Sequence, residues 1–178
     1  MNFFIQFLTY SRILISPIIF LFITIFDFYG WALILFFFAS ISDYWDGFLA
    51  RRYDLESKLG AVLDPIADKI LVAFLIIGLS LELSSYFIGL CGGLILAREF
   101  WVSALRDINA RNLNNEATNV TFMAKIKTSL QLFTFGCFLI GLYLNNAFIL
   151  FVSNFILFLA LIITFQTGLS YTIATFKK

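Results

Sequence analysis

Apolar residues along this chain fall in long blocks separated by short polar breaks. A helix crossing a bilayer needs roughly 20 mostly apolar residues. On that criterion six spans are predicted: Arg12–Phe26, Trp31–Arg51, Ala61–Leu81, Tyr86–Arg106, Lys127–Leu144 and Ala147–Phe176. Ahead of the first, Phe3, Phe4, Phe7 and Leu8 recur at spacings that give one apolar face, so residues 2–11 read as a helix lying at the membrane surface. The basic run and small-residue cleavage site of a signal peptide are missing there. The pattern predicts an all-α, polytopic membrane protein forming one domain over residues 1–178, with residues 107–124 as its one long polar segment, a loop with some helix.

Charge sorts the connections. The breaks at Asp27–Gly30, Ser80–Ser85 and Asn145–Asn146 contain no Lys or Arg. Arg51, Arg52 and Lys58 lie between spans two and three, Arg106, Arg111, Lys125 and Lys127 between spans four and five, and Lys177 and Lys178 close the sequence. Basic loops stay on the cytoplasmic side, so these segments and both termini are expected there.

Composition narrows the chemistry. The 178 residues are 61% hydrophobic and 13% charged, with a mean hydropathy of +0.95. Ordinary soluble domains carry about 25% charged residues, so a water-soluble globule is excluded. A net charge of +1 gives no field for nucleic acid. The absence of histidine removes His bases, Ser-His triads and His-ligated zinc. Cys91 and Cys137 sit in apolar stretches and read as small packing residues.

Four carboxylates interrupt the apolar pattern. Span two contains ASISDYWDGFLARR and span three LGAVLDPIADKILV. An ionised carboxylate in the hydrocarbon region costs several kcal/mol unless paired or hydrated. Asp43, Asp46, Gly47, Ala50 and Arg51 recur at steps of three and four, which puts them on one helix face, and Gly60, Asp64 and Asp68 form a second face. The short link between Arg52 and Lys58 makes the two spans antiparallel neighbours, so the acids converge near one membrane edge. Converging carboxylates need a cation, and all-oxygen ligation suits Mg²⁺, Mn²⁺ or Ca²⁺. Gly47 and Ala50 leave a groove beside them, with Arg51 and Lys58 at its mouth, suited to phosphate.

Residues 43–68 read D-x2-D-G-x2-A-R-x8-G-x3-D-x3-D. This resembles the signature of the CDP-alcohol phosphatidyltransferases at every fixed position. The resemblance implies a six-helix membrane enzyme, usually a homodimer, with two metal ions, Mg²⁺ or Mn²⁺, at a site open to the cytoplasm. It implies that Asp43, Asp46 and Asp64 bind metal, and that Asp68 is the general base and touches the second ion. Gly47, Arg51 and Ser57, with the small residues Ala50 and Gly60, would contact the CDP-linked lipid.

The acceptor is read from later segments. Arg98, Arg106, Lys125 and Lys127 all fall near the basic end of spans four and five, and several cations there suit an acceptor carrying its own phosphate. An R-E at Arg98–Glu99, an A-L-R ending at Arg106, a K-x-K-T at Lys125–Thr128 and Leu8, Thr9 and Arg12 are similar to the glycerol-phosphate branch of the family. Gln6 and Ala124 depart from that pattern, standing where the branch has Asn and Gly. The resemblance implies CDP-diacylglycerol and glycerol 3-phosphate as substrates and a bacterial plasma membrane as the setting. Cardiolipin synthesis, with phosphatidylglycerol as acceptor, and divalent cation transport are the alternatives. The plainer readings are an ion network of the acids with Arg51 and Lys69, a Glu99–Arg98 pair, membrane-edge anchoring by the other cations, and a kink at Pro65.

Overall fold

The computed structural model describes residues 2–53, 58–111 and 122–176. They form six helices: α1 (Asn2–Thr24), α2 (Tyr29–Tyr53), α3 (Lys58–Glu82), α4 (Tyr86–Arg111), α5 (Phe122–Tyr143) and α6 (Ala147–Phe176). Three contain segments long and apolar enough to cross a membrane: Tyr86–Arg111, Ile126–Tyr143 and Ala147–Phe176. In α1 and α2 the apolar runs are shorter, Leu8–Thr24 and Tyr29–Ser42, while α3 is interrupted by Asp64, Asp68 and Lys69. Among the described residues the six predicted spans thus meet the length-and-composition criterion in three cases. With that composition the chain is an integral membrane protein.

The separate surface helix expected at residues 2–11 is instead the first part of α1. No residue there breaks a helix, and Pro17 falls inside α1 without ending it. Likewise α3 runs on through Pro65. At the other extreme, residues 107–111 continue α4 and 122–124 begin α5, which shortens the expected polar loop from both sides.

Three tight turns close one end of the bundle. Ser84 and Asn145 take left-handed φ values of 46° and 47°. Each is followed by an amide that reaches back across the helix end, Ser85 N to Ser80 O at 3.0 Å and Asn146 N to Gly141 O at 2.9 Å. These are Schellman stops. The next helix starts at once: Asn146 Oδ1 accepts from the amides of Phe148 and Ile149, and Ser85 Oγ from that of Ile88. Asp27, at φ 54°, ends the α1 hairpin. There Tyr29 donates to the Glu82 carboxylate at 2.5 Å, tying the start of α2 to the end of α3.

The helices pack as a ring. α1 lies against α2 and α3, α3 against α4, α4 against α6, α6 against α5, and α5 against α2. Among the described residues the main neighbours of α2 are therefore α1 and α5. Among the described residues α1 packs against both α2 and α3, while the ends of α2 and α3 nearest their link lie largely outside the described side chains. All six helices feed one core, with Ile19, Phe36, Leu75, Ile95, Phe138 and Leu157 among its buried residues. Outward-facing residues are large and apolar, as in Trp31, Phe100, Phe151 and Leu169, which suits a hydrocarbon surround.

The α3–α4 contact depends on one glycine. A Cβ at Gly92 would overlap Ile76, meeting its Cγ1 at 2.7 Å, whereas nothing lies within 4 Å of a Cβ at Gly93. Overpacking of this kind costs about 1–3 kcal/mol. Gly92→Ala is expected to lower the thermal unfolding midpoint in detergent, and Gly93→Ala to leave it unchanged or slightly raised. Equal midpoints for the two variants would contradict this packing.

Candidate functional site

The acids lie at one height. Arg12, Asp43 and Asp68 each stand ten residues from the same end of their helices, α1, α2 and α3, roughly 15 Å along the axis. Asp64 and Asp68 are one turn apart on α3. From α1, Thr9 donates to Asp64 Oδ1 at 2.7 Å. Arg12 Nη1 donates to Asp68 Oδ1 at 2.6 Å, and Nη2 lies 3.5 Å from Asp64 Oδ1. Arg12 is fully buried, while the Asp64 and Asp68 side chains keep 38% and 48% of their surface exposed. The carboxylates are thus gripped from one side and open on the other.

The α2 half of the site is described in its backbone. The side chains of Asp43, Asp46, Gly47, Ala50, Arg51 and Gly60 lie outside the described residues, as do Ser57 and the side chain of Lys125. Among the described residues no group of three metal-ligating side chains forms. The two described acids nonetheless fit a hard divalent cation in donor chemistry: both offer carboxylate oxygen and both remain half open. Lys69 is not part of an acid network. It turns to α4, where Nζ donates to Ser103 Oγ at 2.6 Å and sits 5.3 Å from the Phe100 ring centroid.

That Lys69–Ser103 bond sets α3 against α4 at the height of a second polar group. Ser103 lies one turn beyond Glu99 and shortly before Arg106. Glu99 accepts from Lys127 Nζ at 2.5 Å and from Arg98 Nη1 at 3.3 Å. Both cations have side chains only 6% exposed. Arg98 Nη2 also donates to Thr167 Oγ1 at 2.7 Å. Arg106 donates to the Tyr171 hydroxyl at 2.9 Å, its guanidinium 5.1 Å from that ring's centroid. Three of the four predicted acceptor-site cations are therefore described. Arg98 and Lys127 share Glu99, and Arg106 follows two turns along α4. The simple Glu99–Arg98 pair is present but is only half of Glu99's bonding.

Sequence reasoning missed the helix that organises this group. α6 presents Thr164, Thr167, Tyr171 and Thr175 at steps of three and four, with Thr172 beside them. They accept from Gln131, Arg98, Arg106, Asn109 and Trp101 respectively. The hydroxyls of Thr167, Thr172 and Thr175 also donate to carbonyls within α6, those of Ile163, Gly168 and Tyr171. The spacing of these residues was the available signal. Gly168 completes the fit, since a Cβ there would lie 2.9 Å from Arg98 Nε. Beside it an apolar groove of about 260 Å³ opens between α4 and α6, lined by Leu94, Trp101, Phe165 and Leu169.

A helical membrane bundle with a carboxylate pair set against a buried arginine, within the residue pattern given above, defines a class of lipid-modifying enzyme. The family model for CDP-alcohol phosphatidyltransferase matches residues 5–166, and the chain belongs to that family. Among curated relatives, the CDP-diacylglycerol–glycerol-3-phosphate 3-phosphatidyltransferase of Rickettsia bellii is 44% identical over 78% of this chain and 75% of its own. The protein of that name from Rickettsia felis is 39% identical over 93% and 91%. The one from Salmonella choleraesuis is 31% identical over 92% and 90%.

The Glu99 cluster makes a clear stability prediction. Removing one member of a buried ion group leaves uncompensated charge and costs on the order of 3 kcal/mol. Glu99→Gln, which leaves Arg98 and Lys127 facing each other, should lower the unfolding midpoint strongly. Thr167→Val, losing one hydrogen bond from a charged donor, should cost about 1.5–3 kcal/mol. Thermal unfolding in detergent ranks the two.

Proposed function

We propose that this chain transfers the phosphatidyl group of CDP-diacylglycerol to glycerol 3-phosphate, giving phosphatidylglycerol phosphate and CMP. The observation that supports this most is the Asp64–Asp68 pair, half open on α3 and completing the eight-position pattern whose other acids stand at the same height on α2. Support for the acceptor comes from the relatives' names and from the buried cations Arg98 and Lys127, with Arg106 beside them. A phosphate-bearing alcohol needs such cations, whereas a neutral one does not.

In this reading Asp43, Asp46, Asp64 and Asp68 hold two divalent ions, Mg²⁺ or Mn²⁺. Bound there, such ions would supply charge neutralisation for the diphosphate and for the leaving CMP. Asp68 accepts the proton of the acceptor hydroxyl, whose oxygen forms a bond to the β-phosphorus as the bond to the CMP oxygen breaks. Gly47, Ala50, Arg51, Ser57 and Gly60 receive the CDP-lipid. Arg98, Arg106, Lys125 and Lys127 bind the acceptor phosphate, with Thr167 and Tyr171 orienting two of them. Direct displacement fits a chain without histidine and, among the described residues, without an activated Ser or Cys beside the acids.

All six helices cross the bilayer in this reading. The three tight turns face outward, and the basic links and both termini face the cytoplasm of a bacterial plasma membrane. The working unit is a homodimer.

The test is CMP release from CDP-diacylglycerol by the purified protein in detergent with Mg²⁺. Glycerol 3-phosphate, phosphatidylglycerol, serine and inositol are offered separately. Release with glycerol 3-phosphate alone is expected, and Asp68→Asn should lower it by about 10²–10⁴-fold, the usual contribution of a general base. Release with another alcohol would overturn the acceptor. No release with Mg²⁺ or Mn²⁺ from folded protein would overturn the reaction, and metal flux in proteoliposomes would then be measured.

A further inference from the structure

The arginine of α1 occupies an unusual position. Arg12 is the largest fully buried side chain among the described residues. It has left the bilayer edge, where a long cation normally places its head, and reaches two carboxylates of another helix at 2.6 and 3.5 Å. Thr9, one turn earlier and also buried, bonds Asp64, the farther of the two from Arg12, at 2.7 Å. Ser16 closes the turn after Arg12, donating to the Arg12 carbonyl at 2.7 Å. A stretch of α1 is therefore built around holding these acids, with the described contacts reaching the Oδ1 atom of each.

We infer that Arg12 is a positioning residue of the metal site, a resident counter-cation that orients Asp64 and Asp68 and weakens metal binding by its charge. The inference rests on the reading of those acids as metal ligands and deepens it. Two consequences of a fixed positive charge beside the acids follow from electrostatics alone. Without metal, the guanidinium offsets the repulsion between carboxylates one turn apart, so the bundle stands assembled and empty. With metal, the same charge opposes the incoming cation and keeps the site loose enough to exchange ions. A unit charge within a few ångströms, at an effective dielectric of about 20, shifts a binding constant by tenfold or more.

The experiment is a titration of thermal stability with Mg²⁺ in detergent, free of substrate and starting from chelated protein, for wild type, Arg12→Met, Arg12→Lys and Thr9→Val. Arg12→Met should unfold at lower temperature than wild type without metal, recover most of that loss as Mg²⁺ is added, and reach its half-effect at about tenfold lower Mg²⁺. Arg12→Lys, retaining the charge, should restore much of the metal-free stability and keep the half-effect near that of wild type. Thr9→Val, losing a neutral donor, should lower stability without shifting the half-effect towards lower Mg²⁺. A parallel loss in Arg12→Met with and without Mg²⁺, at unchanged half-effect, would show ordinary packing and overturn the inference while leaving the metal site intact. If Arg12→Met does not fold, Arg12→Lys carries the test: a half-effect displaced tenfold despite the retained charge would sink the counter-cation role. If wild type itself gains no stability from Mg²⁺ or Mn²⁺, the reading of the acids as ligands fails first.

Discussion

A charge inside an apolar helical bundle must be met by a partner from another helix, because no water is there to meet it. Among the described residues these meetings fix which helices lie together. Arg12 on α1 joins Asp64 and Asp68 on α3. Lys69 on α3 reaches Ser103 on α4. Glu99 on α4 takes Lys127 of α5, and Arg98 on the same helix takes Thr167 of α6. Hydrophobic residues fill the space around these pairs, but lipid tails are as apolar as leucine and give little preference for one neighbour over another. The polar pairs supply that preference at the α1–α3, α3–α4 and α4–α6 contacts of the ring, and the Glu99–Lys127 bond reaches from α4 to α5.

The chemistry of the site and the architecture of the bundle depend on the same contacts as a result. The α1–α3 pair that locates the first helix also orients the candidate base and its companion acid. The Glu99 cluster that joins α4 to α5 also gathers the cations of the candidate acceptor site. At the opposite end, Ser84 and Asn145 stop their helices with left-handed residues, and each next helix is capped within one or two residues. That end is closed by backbone geometry, and the end holding the acids and cations is organised by side chains.

How much of this was legible in the sequence varied with the kind of signal. The acids were legible because a carboxylate in an apolar run is conspicuous, and Asp64 and Asp68 stand one turn apart as their spacing required. The breaks at Ser80–Ser85 and Asn145–Asn146 were legible from polar residues between apolar blocks. The place of α1 was not. Its apolar residues run nearly all round most of the helix, so periodicity gives α1 no partner, and Arg12 entered only through a resemblance; its contacts are set when α3 folds beside it. The same limit hid the role of α6, whose threonines and Tyr171 are unremarkable in an apolar helix until Arg98, Asn109 and Arg106 arrive. The plainer reading of Lys69, in an ion network with the acids, fails for a geometric reason: it follows Asp68 in sequence, but on a helix adjacent residues point about 100° apart, and it reaches Ser103 on α4. The contribution of α2 was legible only to the height of its acids along the helix axis.

The threonine hydroxyls of α6 carry one more implication, for how the protein is built. Thr167, Thr172 and Thr175 each give their own proton to a carbonyl within α6 and use the remaining lone pairs to receive protons from α4. A helix so constituted brings no unsatisfied donor from these side chains into the bilayer, and so it enters as readily alone as in company. Its acceptors wait, at little cost, for the side chains of α4. For these side chains the donor is satisfied within the helix itself, and the bonds from α4 add to that without being required by it.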